Sequence, residues 1–306
     1  KSNYIEGWNN FKSRWFATQF NSKKLKSNIP KFNLSMGKKN LLLWSEQGIG
    51  DQILFIRFIT NLIPFVNNLF INIDSRLHKI IERVYPKVKF LIKNELNKNN
   101  NINAQLPLGD LGSLFVKDTS DLIKINNTYL TSDTFLKKEL KNNLKTKKKY
   151  ICGLSWISKN DDIGINKSVS LEMLKPILSI KNIEFLDLQY NDTLDERDEF
   201  YKENRIKINK IESVDNFNNL NGLTSLVDIC DFVITVSNTN AHIAGALGKK
   251  TYLLLPKGKG KLWYWSSEKN KSLWYNSICI IKQKTVNVWD DSINKLKKII
   301  EEKING

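Results

Sequence analysis

The stretch Val233–Pro256, VITVSNTNAHIAGALGKKTYLLLP, decides the architecture. Phe232–Val236, which leads into it, is an apolar β-branched run that reads as a buried strand. Ser237, Asn238, Thr239 and Asn240 follow, residues whose side-chain oxygens cap helices. A small-residue helix is expected from Ala241 to Leu247, closed by Gly248 at C′, and a second strand from Thr251 to Leu255. Strand, polar turn, helix and strand make a βαβ unit whose helix starts at the carboxyl end of a parallel strand. Backbone N–H groups and the helix dipole make that point an anion site, here read as a diphosphate seat.

Working outward, the flanks repeat this alternation. Toward the N-terminus, strands are expected at Leu41–Trp44, Leu69–Ile73, Val88–Ile92, Tyr150–Ile157 and Ile183–Leu188. The intervening helices are Gln52–Phe65, Arg76–Tyr85, Ser132–Leu144, Ser170–Ile180 and Leu220–Ile229, with an Asn-rich loop at 94–103. Toward the C-terminus come a strand at Ile278–Ile281 and an amphipathic helix at Val288–Ile304. A chain of 306 residues fits two domains. The expectation is α/β: two Rossmann-like, doubly wound domains facing across a cleft, at 36–147 and 148–306. Residues 1–35 read as a helical segment, because Tyr4, Trp8, Phe11, Trp15 and Phe16 recur every three to four positions.

Composition excludes some classes. Hydrophobic residues make up 41% and aromatics 10%, as in globular chains, and no apolar run approaches the ~20 residues of a membrane span. Cys152, Cys230 and Cys279 are odd in number and widely spaced, which argues against a disulfide framework or a zinc site and for a cytoplasmic setting. The net charge of +17 comes from scattered lysines and runs such as Lys147–Lys149, with no nucleic-acid-binding signature. It is read as solvated background, with attraction to anionic substrates or the inner membrane surface second.

Two turns carry candidate chemistry. In EQGIGD, Gly48 and Gly50 follow a strand and suit positive φ and close backbone approach, with Asp51 opening the next helix. Asp51 is either that helix's N-cap or a general base. A dinucleotide fingerprint is disfavoured, since Ile53 stands where its third glycine belongs. Among aromatics, Trp156 is a stacking platform or core. Trp263, Tyr264, Trp265, Trp274 and Tyr275 wall a cleft or pack the C-terminal helix. Lys257, Lys259 and Lys261 with Gly258 and Gly260 form a phosphate-side loop or solvated surface. His242 donates to a phosphate or bonds backbone, and His78 is structural.

The ordered set LLLWSEQGIGDQILFIRF, SWISKN…KS, FLDLQY, VSNTNAHIAGALGKKTYLLLP and LWYWSS…WYNSICIIKQ resembles one family. These are the glycosyltransferase domains, similar to bacterial heptosyltransferases of family nine, that often follow tetratricopeptide repeats. YIEGWNNFKSRWF (4–16) resembles the end of such a repeat array. The resemblance implies a GT-B architecture and an inverting, metal-independent transfer of sugar from a nucleotide-sugar donor to a glycan or protein acceptor. No cofactor beyond that co-substrate and no metal is implied. Carried over by motif, Asp51 is the base, flanked by the acceptor-side loop Gln47, Gly48 and Gly50. Trp156, Lys167, Ser168, Gln189 and Ser237 through His242 (Asn238, Thr239, Asn240, Ala241) lie on the donor side. Ser237 stands where the family usually has Asp, which bears on donor choice and leaves a second reading, a catalytically silent sugar-nucleotide binder or scaffold on a repeat array. A purely electrostatic nucleic-acid binder is a third.

Overall fold

The computed structural model describes residues 3–18, 20, 22–92, 101–125, 128–144, 146–160 and 162–305. The chain divides into two compact units, Lys1–Tyr129 and Leu130–Gly306.

The first unit begins with helix α1 (Tyr4–Phe11) and a 3-10 turn (Lys12–Phe16), and the described residues from there to 33 hold no further helix. The helical expectation for 1–35 therefore holds only to Phe16. Next come β1 (Lys39–Trp44), α2 (Ile49–Ile56), α3 (Ile59–Leu62), β2 (Val66–Asn72), α4 (His78–Val84) and β3 (Lys89–Phe90). The unit closes with β4 (Ala104–Pro107), α5 (Leu111–Phe115) and α6 (Thr119–Lys124). Most of the Asn-rich loop at 94–103 lies outside the described residues. The sheet order is β3-β2-β1-β4, all parallel. Leu41, Leu42 and Leu43 of β1 are fully buried, as a central parallel strand covered on both faces requires.

Trp8, Phe11 and Trp15 of the N-terminal aromatic face pack inside this unit, while Phe16 is exposed. Trp8 is buried and its indole Nε1 donates to Val116 O at 2.9 Å. Its ring sits on Gly112, where an added Cβ would come within 2.2 Å of the indole. Trp15 packs on Trp44 at 5.6 Å between ring centroids, and Phe11 on Phe55 at 6.1 Å.

The second unit starts with α7 (Thr134–Leu144), β5 (Tyr150–Ser155), the single turn α8 (Gly164–Lys167), α9 (Leu171–Leu178) and β6 (Ile183–Asp187). It continues with α10 (Leu194–Asn204), β7 (Ile208–Asn209), α11 (Leu220–Ile229), β8 (Phe232–Val236), α12 (Thr239–Ala246) and β9 (Thr251–Leu255). A hairpin, β10 (Ser267–Glu268) and β11 (Lys271–Ser272), leads to β12 (Ile278–Lys282) and the last helix, α13 (Asp290–Asn305). The sheet order is β10-β11-β12-β9-β8-β5-β6-β7, parallel from β12 to β7. The division between units falls earlier than the expected 147–148, because α7 belongs to the second. Lys137 Nζ on α7 pairs with Asp228 at 2.8 Å and Ser132 Oγ donates to the same carboxylate at 2.6 Å.

Both sheets reverse their winding direction beside their first strand, between β1 and β4 in one unit and between β5 and β8 in the other. In doubly wound sheets the crevice outside the carboxyl ends at that switch point is where ligands bind. The Gly48–Asp51 turn after β1 and the Ser237–Asn240 turn after β8 each lie at such a point.

Candidate functional site

At the switch point of the second unit, the carboxyl ends of β5, β6 and β8 are tied into one polar knot. Ser155 Oγ, at the end of β5, accepts from Asn238 Nδ2 at 2.8 Å and Asn240 Nδ2 at 3.0 Å. It donates to Gln189 Oε1 at 2.7 Å, so its hydrogen-bonding capacity is filled. Gln189 Oε1 also accepts from Ile157 N at 2.9 Å, and Asn240 Nδ2 donates to Leu188 O at 2.8 Å. Gln189 is fully buried and Asn240 nearly so. Three of the expected donor-side residues, Gln189, Asn238 and Asn240, thus hold the loops together.

Helix α12 starts two residues before the expected Ala241. Asn238 is its N-cap: Oδ1 accepts from Asn240 N at 3.0 Å, and Asn238 O accepts from Ala241 N at 3.2 Å. Two first-turn amides of the expected cradle are therefore taken up internally. The half-buried Thr239 at N1 heads the positive end of the helix. The helix ends as expected, with Gly248 at φ +69.

His242, one turn in, is 2% exposed, and its Nδ1 shares a 3.0 Å hydrogen bond with Tyr275 Oη. The rings of Tyr264 and Trp265 lie 5.2 and 5.0 Å away. Burial, with a smaller push from the Lys167 charge, holds its pKa down at about 3, so the imidazole is neutral. It bonds a side chain and not backbone. Tyr264, Trp265 and Tyr275 of the dense aromatic run pack on α12. An added Cβ at Gly245 would meet the Tyr275 ring at 2.5 Å, and Trp265 Nε1 donates to Ser237 Oγ at 2.8 Å. Ser237 is 2% exposed.

Lys167 ends α8 and is 4% exposed, its charge felt at His242. Gly260, at φ +94, packs on it: an added Cβ would lie 3.0 Å from the Lys167 stem. The Gly-Lys loop thus touches Lys167 through a glycine while Lys257, Lys259 and Lys261 face solvent. Ser168 Oγ shapes the preceding loop, accepting from Ser158 N at 3.0 Å and donating to Gly164 O at 2.9 Å. Trp156 is a core residue at 1% exposure, its indole N–H on the Glu196 carboxylate at 3.0 Å, so its ring is no stacking platform.

A cavity of about 450 Å³ opens beside the knot, lined in part by Gln189, Tyr190, Asp192, Arg197, Lys210 and Asn216. Asn216 Nδ2 donates to Gln189 O at 3.0 Å, while its buried Oδ1 has no hydrogen-bond partner among the described residues. Beneath lies Asp187, fully buried, its pKa raised by burial against the pull of Thr193, Gln189 N, Lys210 and Arg197. Sequence reasoning passed over Asp187, Arg197, Lys210 and Asn216. The one available signal was Asp187 inside FLDLQY, an acid closing an apolar strand.

In the first unit, Gly48 caps α2 through its backbone at φ −62 and ψ 168, and Gly50 lies inside the helix. Neither uses positive φ, contrary to expectation. Asp51 is not the N-cap but the third residue of α2, half-buried, where a carboxylate favours the helix dipole. The Gln47–Asp51 turn is pinned by Gln52, whose Nε2 donates to Gln47 O at 2.9 Å and whose Oε1 accepts from Asp74 N at 2.9 Å. Beneath it sits a buried ionic cluster that the sequence did not reveal. Arg14 Nη2 lies 2.8 Å from both Glu46 Oε1 and Asp110 Oδ1, and Lys31 Nζ is 2.5 Å from Asp110 Oδ2. Glu46 Oε1 also accepts from Gly109 N at 3.0 Å. Burial raises the Glu46 pKa to about 7, against the lowering by Arg14.

Among the described residues no group of three or more His, Cys, Asp or Glu side chains is placed to hold a metal ion, and no helix is long and apolar enough to cross a membrane.

No protein-family model matches the chain, and no curated protein matches it by sequence. Solved structures do. A glycosyl transferase family 9 protein from Veillonella parvula is similar with a TM-score of 0.59 at 12% identity, over 86% of this chain and 90% of that one. E. coli ADP-heptose lps heptosyltransferase II has a TM-score of 0.55 at 11% identity, over 86% and 99%. E. coli heptosyltransferase WaaC with ADP-2-deoxy-2-fluoro heptose has a TM-score of 0.54 at 12% identity, over the same shares. The chain shares the fold of these glycosyltransferases, a GT-B-like pair of Rossmann-like α/β units.

Proposed function

We propose that the chain is an inverting, metal-independent glycosyltransferase that moves a sugar from a nucleotide-sugar donor to a glycan or protein acceptor. The observation that carries this reading is the second unit's switch point. There a helix N-terminus, a buried lysine and a neutral histidine lie beside a polar knot, and a 450 Å³ cavity reaches the same knot at Gln189. The likeness to solved heptosyltransferases supports it.

In this mechanism the acceptor hydroxyl oxygen bonds to the anomeric carbon while the bond from that carbon to the diphosphate breaks. The acceptor proton passes to the Asp51 carboxylate, and the electron pair leaves with the nucleoside diphosphate. Direct displacement inverts the anomeric centre. Charge developing on the diphosphate is stabilised by the positive end of α12 at Thr239 and by Lys167. His242, kept neutral by burial, adds no positive charge of its own. The cavity between Gln189 and Asn216 takes the nucleoside.

The test pairs two measurements: a thermal-shift screen of nucleoside diphosphates and nucleotide sugars, and transfer by wild type and Asp51→Asn. Ligand-linked stabilisation identifies the donor. Asp51→Asn retains donor binding and loses transfer; full activity in that variant overturns the role of Asp51. The silent-binder reading draws on Ser237, whose hydroxyl is held by Trp265. It predicts donor binding with no nucleoside diphosphate release under any acceptor.

A further inference from the structure

The first unit holds a second device that the chemistry above does not use. Residues 3–18 and 22–33 lie as a strap on this unit, the first part against the segments that follow β1 and β4, at Glu46, Asp110 and Gly112, and the second along the β4 edge. Trp8 plugs the strap onto Gly112, and Phe32 N donates to Gln105 O at 2.9 Å while Gln105 N donates to Pro30 O at 3.0 Å. The strap thus adds a short parallel edge beside β4 through Lys31 and Gln105. Among the described residues of the strap the one buried cation is Arg14, 8% exposed, its guanidinium stacked on Phe11 and Trp15 at 4.5 and 4.8 Å.

That guanidinium reaches the residue preceding the Gln47–Asp51 turn. One nitrogen, Nη2, bridges Glu46 and Asp110, and Ser22 Oγ donates to Glu46 O. Glu46 in turn fills the space over Gly109, where an added Cβ would come within 2.5 Å of its Oε1. Glu46 is therefore gripped from two sides, by the strap and by the β4–α5 connection. Asp51 lies five residues on, in the first turn of the helix that this gripped loop launches.

We propose that Arg14 is a positioning residue for the Gln47–Asp51 turn, the strap fixing Glu46 and through it the start of α2 on which Asp51 rides. The proposal rests on the sugar-transfer reading for its catalytic consequence, not for its structural one. Removing Arg14 cuts the strap's tie to Glu46 and Asp110, leaving any ionised Glu46 uncompensated and Asp110 with only the half-exposed Lys31, so the loop carrying Glu46 loses its anchor. Small displacements of a reacting group cost up to about 100-fold in rate.

The experiment compares wild type, Arg14→Met and the paired variant Arg14→Met with Glu46→Gln. The pair removes the uncompensated Glu46 charge and guards against simple unfolding. Amide hydrogen exchange at 46–52, nucleoside diphosphate affinity, and kcat against KM for transfer are measured on each. Positioning predicts exchange at 46–52 faster by about tenfold or more and kcat lower by about 10- to 100-fold. It also predicts an unchanged diphosphate affinity, in both variants. Unchanged exchange at 46–52 overturns the proposal whatever the activity, and faster exchange with unchanged kcat overturns the positioning role. A wild type that transfers no sugar overturns the functional reading, while the exchange result still decides whether the strap holds the turn.

Discussion

Glu46→Gln should stabilise the protein, and only above mildly acidic pH. In the folded chain Glu46 titrates at about 7 against an ordinary value of 4.5, because burial outweighs the attraction of Arg14. Between those two values the folded state holds a proton that the unfolded state has released. Stability from this group is therefore fully present below pH 4.5 and is lost as pH rises through about 7. Each pH unit across that window is worth about 1.4 kcal/mol, so the ionised carboxylate costs roughly 3 kcal/mol at pH 8. Glutamine keeps the shape of the neutral carboxyl, and its carbonyl still accepts from Gly109 N. Thermal unfolding of wild type and variant in matched buffers at pH 4.5, 6, 7 and 8 reads this directly. The curves should coincide at pH 4.5 and separate with rising pH, the variant melting several degrees higher at pH 8. A variant that melts lower than wild type at pH 8 would show that the Arg14–Glu46 ion pair outweighs the cost of burying the charge, refuting the reasoning.

Four further outcomes follow from single features. His242, held at about pKa 3 by burial, should show no imidazole titration by NMR between pH 5 and 8. Its contribution runs opposite to that of Glu46: stability is present above pH 6.5 and lost as pH falls toward 3. Gly245→Ala drives a methyl into the Tyr275 ring and should cost about 1–3 kcal/mol, seen as a lower Tm. Trp8→Ala removes a buried indole and its bond to Val116 O, and should cost about 3–5 kcal/mol in denaturant unfolding. Ser155→Ala leaves the amides of Asn238 and Asn240 without a shared acceptor and should weaken diphosphate affinity measured by calorimetry.

Much of this fold is written in local patterns. Strands β8 and β9 and helix α11 occupy the residues their apolar runs predict, since central parallel strands read as continuous β-branched and aliphatic stretches. Short-range signals failed where tertiary contacts decide. Asp51 looks like an N-cap, yet Gly48 starts α2 through backbone geometry alone. Helix α10 carries a charged sequence with one buried residue, Phe200, too faint a stripe to announce a helix. The N-terminal aromatics were legible as an adhesive face but not as one adhering to its own chain, because their partners, Val116, Gly112 and Trp44, lie far along the sequence. The Arg14–Glu46–Asp110 cluster was invisible for the same reason. For the site itself, the motifs marked loops at the carboxyl ends of the parallel strands, but which of their side chains hold those loops emerged only from the hydrogen bonds. Gln189, Asn238 and Asn240 are holders.

The saturated hydroxyl of Ser155 has a consequence for how this protein can change. With two amides and one carboxamide oxygen locked to it, no one of the three connections can drift without breaking a hydrogen bond to this hydroxyl. If the site is the proposed donor seat, new ligand preferences arise outside this anchor, in the wall from Tyr190 to Asn216 or in the glycine loop over Lys167. Variation among descendants of this chain should accumulate in those two borders and spare Ser155, Asn238 and Asn240.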